Sequence, residues 1–380
     1  MALNPTSSHD VVIVGAGIIG LATAWRASAQ GLNVLVVDCS DPGLGASNVA
    51  AGMLAAVSEA ELADEALLEL CLDSAGRWPA FAAELESLTG MVTGYRACGT
   101  LLVAGDRDSA EALVREFDLR QRLSLRVSRV GSSAAHVLEP ALGTAVRHAI
   151  DAPDDHCVDP RRVCEGLVDA ARLAGATIRP RTGAREVRSD AGRITGLMLD
   201  DGTTVRCDAV VVAAGAWSGC LPGIPADARV PVRPVKGQTL RLRDPAGPGL
   251  IEHVLRFDSG YIVPRSDGRF VVGATVEDRG FDTSVTAWGI HQLLRDAAEI
   301  VPGLLELIVE ETIAGLRPGT PDNAPVLGPT DELDGLYYAT GHYRNGVLLA
   351  PITAELTVAA LLGAETPARF SPDRFAGVQS

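Results

Sequence analysis

Three glycines stand in the stretch Val11-Val-Ile-Val-Gly15-Ala-Gly17-Ile-Ile-Gly20, and an acid, Asp38, follows eighteen residues after the third. This spacing belongs to a turn that brings backbone amides and a helix N-terminus up to a pyrophosphate. The first glycine permits the tight turn, the second admits the phosphates, and the third lets helix and strand pack closely. Asp38 would accept hydrogen bonds from ribose hydroxyls. Glycines that only pack a helix against a sheet would leave Asp38 and its spacing without a role. The chemistry implied is dinucleotide binding.

A second set of candidates lies toward the C-terminus. In Gly315-Leu-Arg-Pro-Gly-Thr320, Arg317 reads as following a short strand and preceding Pro318, a place from which its guanidinium can project. Its planar fork suits a bidentate grip on a carboxylate. Gly341-His-Tyr-Arg-Asn-Gly346 reads as a loop before the final helix. Within it, His342 reads as a histidine satisfied by backbone rather than as a general base. Lys236, the only lysine, reads as a solvated turn residue. Asp154, Asp155, His156, Cys157 and Cys164 crowd together, yet their spacing fits no metal-ligand pattern, and an acidic turn before a helix accounts for them.

Positioning these groups takes a definite series of elements. Asp10 to Val14 reads as a buried strand, Ile18 to Gln30 as a helix and Asn33 to Asp38 as a second strand, as a parallel sheet covered on both faces requires. A long helix is expected over Asp64 to Leu88, a strand over Tyr95 to Ala104 and a helix over Asp106 to Arg122. Asp159-Pro160 starts another helix, with Asp as cap and Pro at the first helical position. Short strands with turns at Asp190-Ala-Gly192 and Asp200-Asp-Gly202 lead to a buried strand, Ala209 to Gly215. Further strands are expected over Arg229 to Arg243, Tyr261 to Ala274 and Leu336 to Thr340. Helices are expected from Trp288 to Ile300 and as the closing element to Leu362.

Bulk properties exclude several classes. The net charge of -15 argues against nucleic acid or an anionic membrane as the main partner. Val347 to Leu362 is apolar but carries Glu355 and Pro351 and is too short to span a bilayer. Seven cysteines without a CxxC pair fit reduced thiols, and the cytoplasm is the expected location. A chain of 380 residues is expected to form two domains.

The glycine motif serves NAD and FAD alike, and two features favour FAD. Gly45-Ala-Ser-Asn-Val-Ala-Ala-Gly-Met53 follows the second strand directly, a small-residue segment suited to backbone contact along an extended cofactor. The strand Ala209 to Gly215 is similar to the one that returns beneath the cofactor in FAD oxidoreductases. Ala50-Ala-Gly-Met-Leu54, Pro234-Val-Lys-Gly-Gln238, Tyr261-Ile-Val-Pro-Arg265, Val272-Gly-Ala-Thr275, Gly315-Leu-Arg-Pro-Gly-Thr320 and Gly341-His-Tyr-Arg-Asn-Gly-Val-Leu-Leu-Ala-Pro351 occur in that order. Together they resemble the D-amino-acid oxidase superfamily of flavoproteins over nearly the whole chain. Within it they are most similar to the glycine oxidases of thiamine biosynthesis.

The resemblance implies an α/β fold: a Rossmann-type FAD-binding domain and a second, substrate domain built on a mixed β-sheet. The segments 1–88, 151–222 and 311–380 are expected in the first, and 89–150 with 223–310 in the second. It implies noncovalent FAD, since Leu316 stands near where related sarcosine oxidases attach the cofactor through a cysteine. FAD contacts are expected from Gly15, Gly17, Ile18, Ile19, Gly20, Asp38, Cys39, Ala46, Ser47, Ala51, Gly52, Met53 and Val187. His342, Tyr343, Arg344, Asn345, Gly346, Val347 and Leu348 are expected to join them, with the closing helix N-terminus favouring negative charge on the flavin.

Arg317 is implied as the carboxylate anchor and Tyr261 as the residue that closes the pocket, with Met53, Ala55 and Val276 as walls. Arg344 stands open between substrate, cofactor and an ion pair. Glycine oxidases often carry methionine after Gly-Ala-Thr, so Val276 leaves more room here. No Ser/His/Asp or Cys/His constellation and no metal set falls near the flavin, so no acid–base residue is expected. The expected reaction is oxidation of glycine, sarcosine or D-alanine, with oxygen reduced to hydrogen peroxide and a homotetramer as the assembly. The alternatives are another amino-acid oxidase or dehydrogenase of the superfamily and a non-catalytic flavin-binding sensor.

Overall fold

The computed structural model describes residues 8–60 and 64–376. Its first strand, β1 (Ser8–Val14), buries Val11 through Val14 and passes through the glycine turn into α1 (Ile18–Ala29). β2 (Val34–Val37) returns beside it in parallel, pairing Val11 with Val34 and Val14 with Val37. After α2 (Ala46–Val49) and β3 (Met53–Leu54) comes α3 (Glu65–Thr89), whose first turn is capped by the Asp64 carboxylate on the Leu67 amide.

β4 (Thr100–Ala104), α4 (Arg107–Arg122), β5 (Ser128–Gly131), α5 (Ser132–Leu138) and β6 (His148–Ala152) follow. The expected strand from Tyr95 is thus real only in its second half. Arg96 makes a single bridge to Cys157 in β7 (His156–Cys157). α6 (Pro160–Leu173) starts at Pro160 under the Asp159 cap. Four strands succeed it: β8 (Thr177–Arg179), β9 (Ala184–Asp190), β10 (Arg193–Leu199) and β11 (Thr204–Val212).

Then come β12 (Arg233–Arg243), β13 (Val254–Phe257), β14 (Gly260–Pro264), β15 (Arg269–Gly273), α7 (Ala287–Ile300) and β16 (Ile308–Gly319). β17 (Val326–Pro329), β18 (Leu336–Thr340) and α8 (Ala350–Leu361) follow, with two short 3-10 turns after them.

Two eight-stranded sheets result. The first runs β17-β18-β11-β1-β2-β8, with β10 and β9 branching from β11. Its centre is parallel, and Val11, Val12, Ile13 and Val14 sit in register with Ala209 through Val212. The second runs β16-β12-β15-β14-β13-β4-β6-β5 and is mixed, with β13 and β4 parallel within an otherwise antiparallel array. Short β3 and β7 pair with each other in a separate antiparallel ribbon. The segment 311–380 therefore enters through β16 in the second sheet before reaching the first.

One face of the first sheet packs on α1, α3, α6 and α8 through Trp25, Trp78, Phe81, Leu85 and Leu167. Its other face packs under β9 and β10 through Val12, Val210 and Tyr338. The second sheet packs on α7 through Leu240, Phe270, Val272 and Leu293. Each such fully buried side chain contributes about 1.5–3 kcal/mol by leaving water. Among the described residues no helix is long and apolar enough to cross a membrane.

Candidate functional site

A cavity of about 1190 Å³ is lined from both sheets. Its first end is the β1–α1 turn. Gly15 has φ +109°, and a Cβ there would lie 2.4 Å from the Ala213 carbonyl oxygen, so only glycine lets the turn sit on β11. A Cβ on Gly20 would fall 1.9 Å from the Gly15 oxygen. The N-cap residue, Gly17, offers no side chain to cap α1. The Ile18 amide donates to Ser47 Oγ at 3.0 Å, while the Gly17 and Ile19 amides find no acceptor among the described residues. A bare helix N-terminus with free amides on a cavity wall is a site for anionic phosphate.

Asp38 is held next to this turn. One carboxylate oxygen accepts from the Ala16 amide at 2.7 Å, and the other accepts from the Ser40 amide and hydroxyl, each at 2.8 Å. A carboxylate has about four acceptor positions, so capacity for a ribose hydroxyl remains. Cys39, Ala46, Ser47, Ala51, Gly52, Met53 and Ala55 continue the wall, and Ala213, Ala214 and Gly215 at the end of β11 face it.

The loop before α8 forms another wall. Tyr343 donates its amide to Pro318 at 2.9 Å, and the Leu348 carbonyl accepts from Ser74 Oγ at 2.6 Å and Trp78 Nε1 at 2.8 Å. These bonds fix the loop between β16 and α3. Gly346, Val347 and Leu348 line the cavity, and their amides find no acceptor among the described residues. With the start of α8 behind them, they make this wall favourable to negative charge. His342 is buried, shares a hydrogen bond with Thr353 Oγ1 at 2.9 Å, and is pushed down to about 3 by burial. It is neutral and ill-suited to take a proton at neutral pH.

At the far end stand Arg317 and Tyr261. Arg317 lies within the twelve-residue β16, opposite Val235 of β12, rather than after a short strand. Its Nη1 donates to the Thr275 carbonyl at 3.1 Å. The guanidinium lies across Gly237, where a Cβ would stand 2.4 Å from Nη1. Gly273 makes the same room for Tyr261, since a Cβ there would meet the phenolic oxygen at 2.5 Å. Burial pushes the Tyr261 phenol up, opposed by Arg317 and Arg344, so it stays a protonated donor. Met53, Ala55, Val276 and Arg344 line the same cavity. Val276 is 54% exposed, which places it at the mouth.

Two expected residues lie off the wall. Gly20 packs against Gly15, and Val187 is buried within β9, opposite Leu197 of β10, with its amide bonded to the Pro222 carbonyl. Lys236 is a correction: it is not a solvated turn residue but is 1% exposed within β12. Its ammonium donates to Asp282 at 2.6 Å, and its backbone bridges Glu277. Strand burial and two acids more than forty residues downstream, invisible to local composition, account for the difference. Of the crowded acidic stretch, Asp155 accepts from the Val57 and Ser58 amides at 2.8 Å and His156 meets Tyr95 Oη at 2.6 Å.

Sequence reasoning missed Glu59, Trp217 and Gln238 on the cavity wall. Gln238 bonds Glu277 at 2.7 Å and the Thr286 amide at 2.8 Å, tying the segment that carries Val276 to β12. The motif Pro234 to Gln238 contained the signal, but not the partner.

A family profile described as FAD dependent oxidoreductase matches residues 10–360. Glycine oxidase from Geobacillus kaustophilus is 35% identical over 97% of this chain and 96% of its own length. The bifunctional protein ThiO/ThiG of Synechocystis sp. is 37% identical over 97% of this chain but 54% of its own, so the chain spans about half the length of such relatives. The solved structure of glycine oxidase from Geobacillus kaustophilus superposes with a TM-score of 0.90 at 34% identity, covering 97% of this chain and 99% of that one.

Proposed function

The chain belongs to the FAD-dependent oxidoreductase family, and from that premise we propose that it oxidises glycine and comparably small amino acids at the carbon bearing the amine. The observation that carries this reading is the pairing of Arg317 with Tyr261 in the cavity that begins at the α1 turn. A carboxylate clamp and a dinucleotide cradle share one space.

The residues fit FAD. The free amides of Gly17 and Ile19 suit its pyrophosphate, Asp38 its ribose, and the amides of Gly346 to Leu348 an anionic edge. Bound there, FAD supplies an acceptor for the two electrons of a Cα–H bond. Arg317 holds the substrate carboxylate through its planar fork, and the Tyr261 hydroxyl donates to the same group. Met53 and Ala55 form an apolar wall that restricts the substituent on the α-carbon. His342 is uncharged and occupied by Thr353, so it does not take a proton from the substrate amine. Orientation and carboxylate binding are then the chain's contribution to rate.

The net reaction converts glycine, water and oxygen into glyoxylate, ammonia and hydrogen peroxide. The open position of Val276 admits a methyl group at the mouth, which extends the range to sarcosine and D-alanine. Supply of the thiazole branch of thiamine synthesis follows from the relatives' names and belongs to the same proposal. So do a homotetramer, a cytoplasmic location, and division into an FAD module (1–88, 151–222, 311–380) and a substrate module (89–150, 223–310).

Peroxide release from FAD-loaded protein with glycine, sarcosine, D-alanine and D-proline tests the reading. Peroxide with glycine among the best substrates supports it. Turnover confined to D-proline or to larger D-amino acids contradicts the substrate assignment.

A further inference from the structure

Seven cysteines scattered along the sequence give no hint of a pair, yet the fold brings two together. Cys98 Sγ and Cys157 Sγ lie 3.6 Å apart, from positions 59 residues apart in the chain. The juxtaposition comes from the backbone: Arg96 and Cys157 exchange both amide–carbonyl bonds, at 2.8 and 3.0 Å, which sets Cys98 diagonally across from Cys157. Cys157 is fully buried, whereas Cys98 is partly exposed and lines a surface recess with Arg96, Ala97 and Glu252.

A second observation points the same way. The Arg265 guanidinium, 5% exposed, sits beside this pair with Nε and Nη1 lacking any hydrogen-bond partner among the described residues. Nη2 donates to the Ala51 carbonyl at 2.6 Å and Nε faces the Asp159 carboxylate at 3.9 Å, so a Cys157 thiolate would be a second anion beside a buried guanidinium whose hydrogen-bonding capacity is only partly used. The Cys157 thiol is held below its ordinary value by the Cys98 S–H against it and then by the Arg265 and Arg96 charges, while the same bond pushes Cys98 up. The pair thus loses its first proton readily and keeps the second. Ala51, Met53 and Tyr261 pack in the same cluster, so the sulfurs stand directly behind the cavity wall.

We propose that Cys98 and Cys157 form an oxidation site, in which hydrogen peroxide converts the thiol pair to an intramolecular disulfide. The pair's remaining proton passes from Cys98 to Cys157 across the 3.6 Å contact, and the Cys98 thiolate so formed, the one that peroxide can reach, attacks one peroxide oxygen. The O–O bond breaks, Cys98 becomes a sulfenic acid, and the departing hydroxide takes the Cys157 proton to leave as water. The Cys157 thiolate then attacks the Cys98 sulfur, the S–O bond breaks, and the second hydroxide takes a proton from solvent. Two thiols and one peroxide give one disulfide and two waters. The sulfurs need only close from contact to a bond of about 2.05 Å. This site deepens the proposed function, because an amino-acid oxidase would release its own oxidant next to it.

The test uses FAD-loaded protein, excess hydrogen peroxide and no amine substrate, so that its result does not depend on turnover. Alkylation and peptide mass spectrometry should show loss of the Cys98 and Cys157 thiols, a Cys98–Cys157 linked peptide lighter by two hydrogens, and full recovery with dithiothreitol. Cys98→Ser should show no linked peptide and leave Cys157 alkylatable after unfolding. If the native protein keeps both thiols, or if Cys98 proceeds to sulfinic acid while Cys157 remains a thiol, the assignment is overturned.

Discussion

Arg317 stood out in the sequence through the family resemblance of Gly315 to Thr320 and through a guanidinium placed before proline; its setting was not legible. The long β16 that carries it depends on pairing with β12 some eighty residues earlier, which local patterning does not report. Arg317→Ala is expected to keep the protein yellow and folded while raising KM for glycine by about a hundredfold or more, the scale for truncating one partner of a buried charged pair. Cofactor retention is read by absorbance, and loss of FAD would show that the arginine holds the cofactor instead. His342 offers a pH test. Its folded value of about 3 lies below the ordinary 6.5, so the unfolded chain binds the proton first. Its contribution to stability is complete above about pH 6.5 and is lost as pH falls toward 3. Thermal melts from pH 7 to 4.5 should fall less steeply for His342→Gln than for the native chain. Parallel slopes would show that burial of this ring does not govern the acid limb.

At the scale of elements, β1, α1 and β2 were legible because one glycine turn joins two apolar runs, and the structure returns those bounds within two residues. The strands β5, β6 and β16 were not, since their partly exposed residues alternate weakly and only the sheet defines them. The β1–α1 turn also carries the sharpest mutational expectation. In Gly20→Ala the new methyl would stand 1.9 Å from the Gly15 oxygen, against backbone that cannot give way cheaply. Purified Gly20→Ala should be largely colourless and melt several degrees lower, a destabilisation of roughly 1–3 kcal/mol for an overpacked site. A yellow variant with an unchanged melt would show that helix and strand do not need that approach.

At the scale of the whole molecule, the sequence implied two sheets but not their strand orders, which arise from contacts such as β18 beside β11 and β13 beside β4. Cavity walls contributed from both sheets follow from that topology, as does the burial of Lys236 by a segment that composition reads as loop. A cofactor bound across both sheets stabilises the folded state by mass action, about 2.7 kcal/mol at a hundredfold excess over Kd. Removing FAD should therefore lower the melting temperature by a few degrees, and titrating it back should restore it. A melt indifferent to FAD would show that the folded chain does not bind it. The central claim is that one cavity joins FAD to a carboxylate-held small amine. Anaerobic mixing of the FAD-loaded protein with glycine, against glycinamide, tests it most directly. Bleaching of the yellow absorbance with glycine and little with glycinamide is the expected result. Equal bleaching by both would remove Arg317 as the anchor, and no bleaching by glycine would contradict the account.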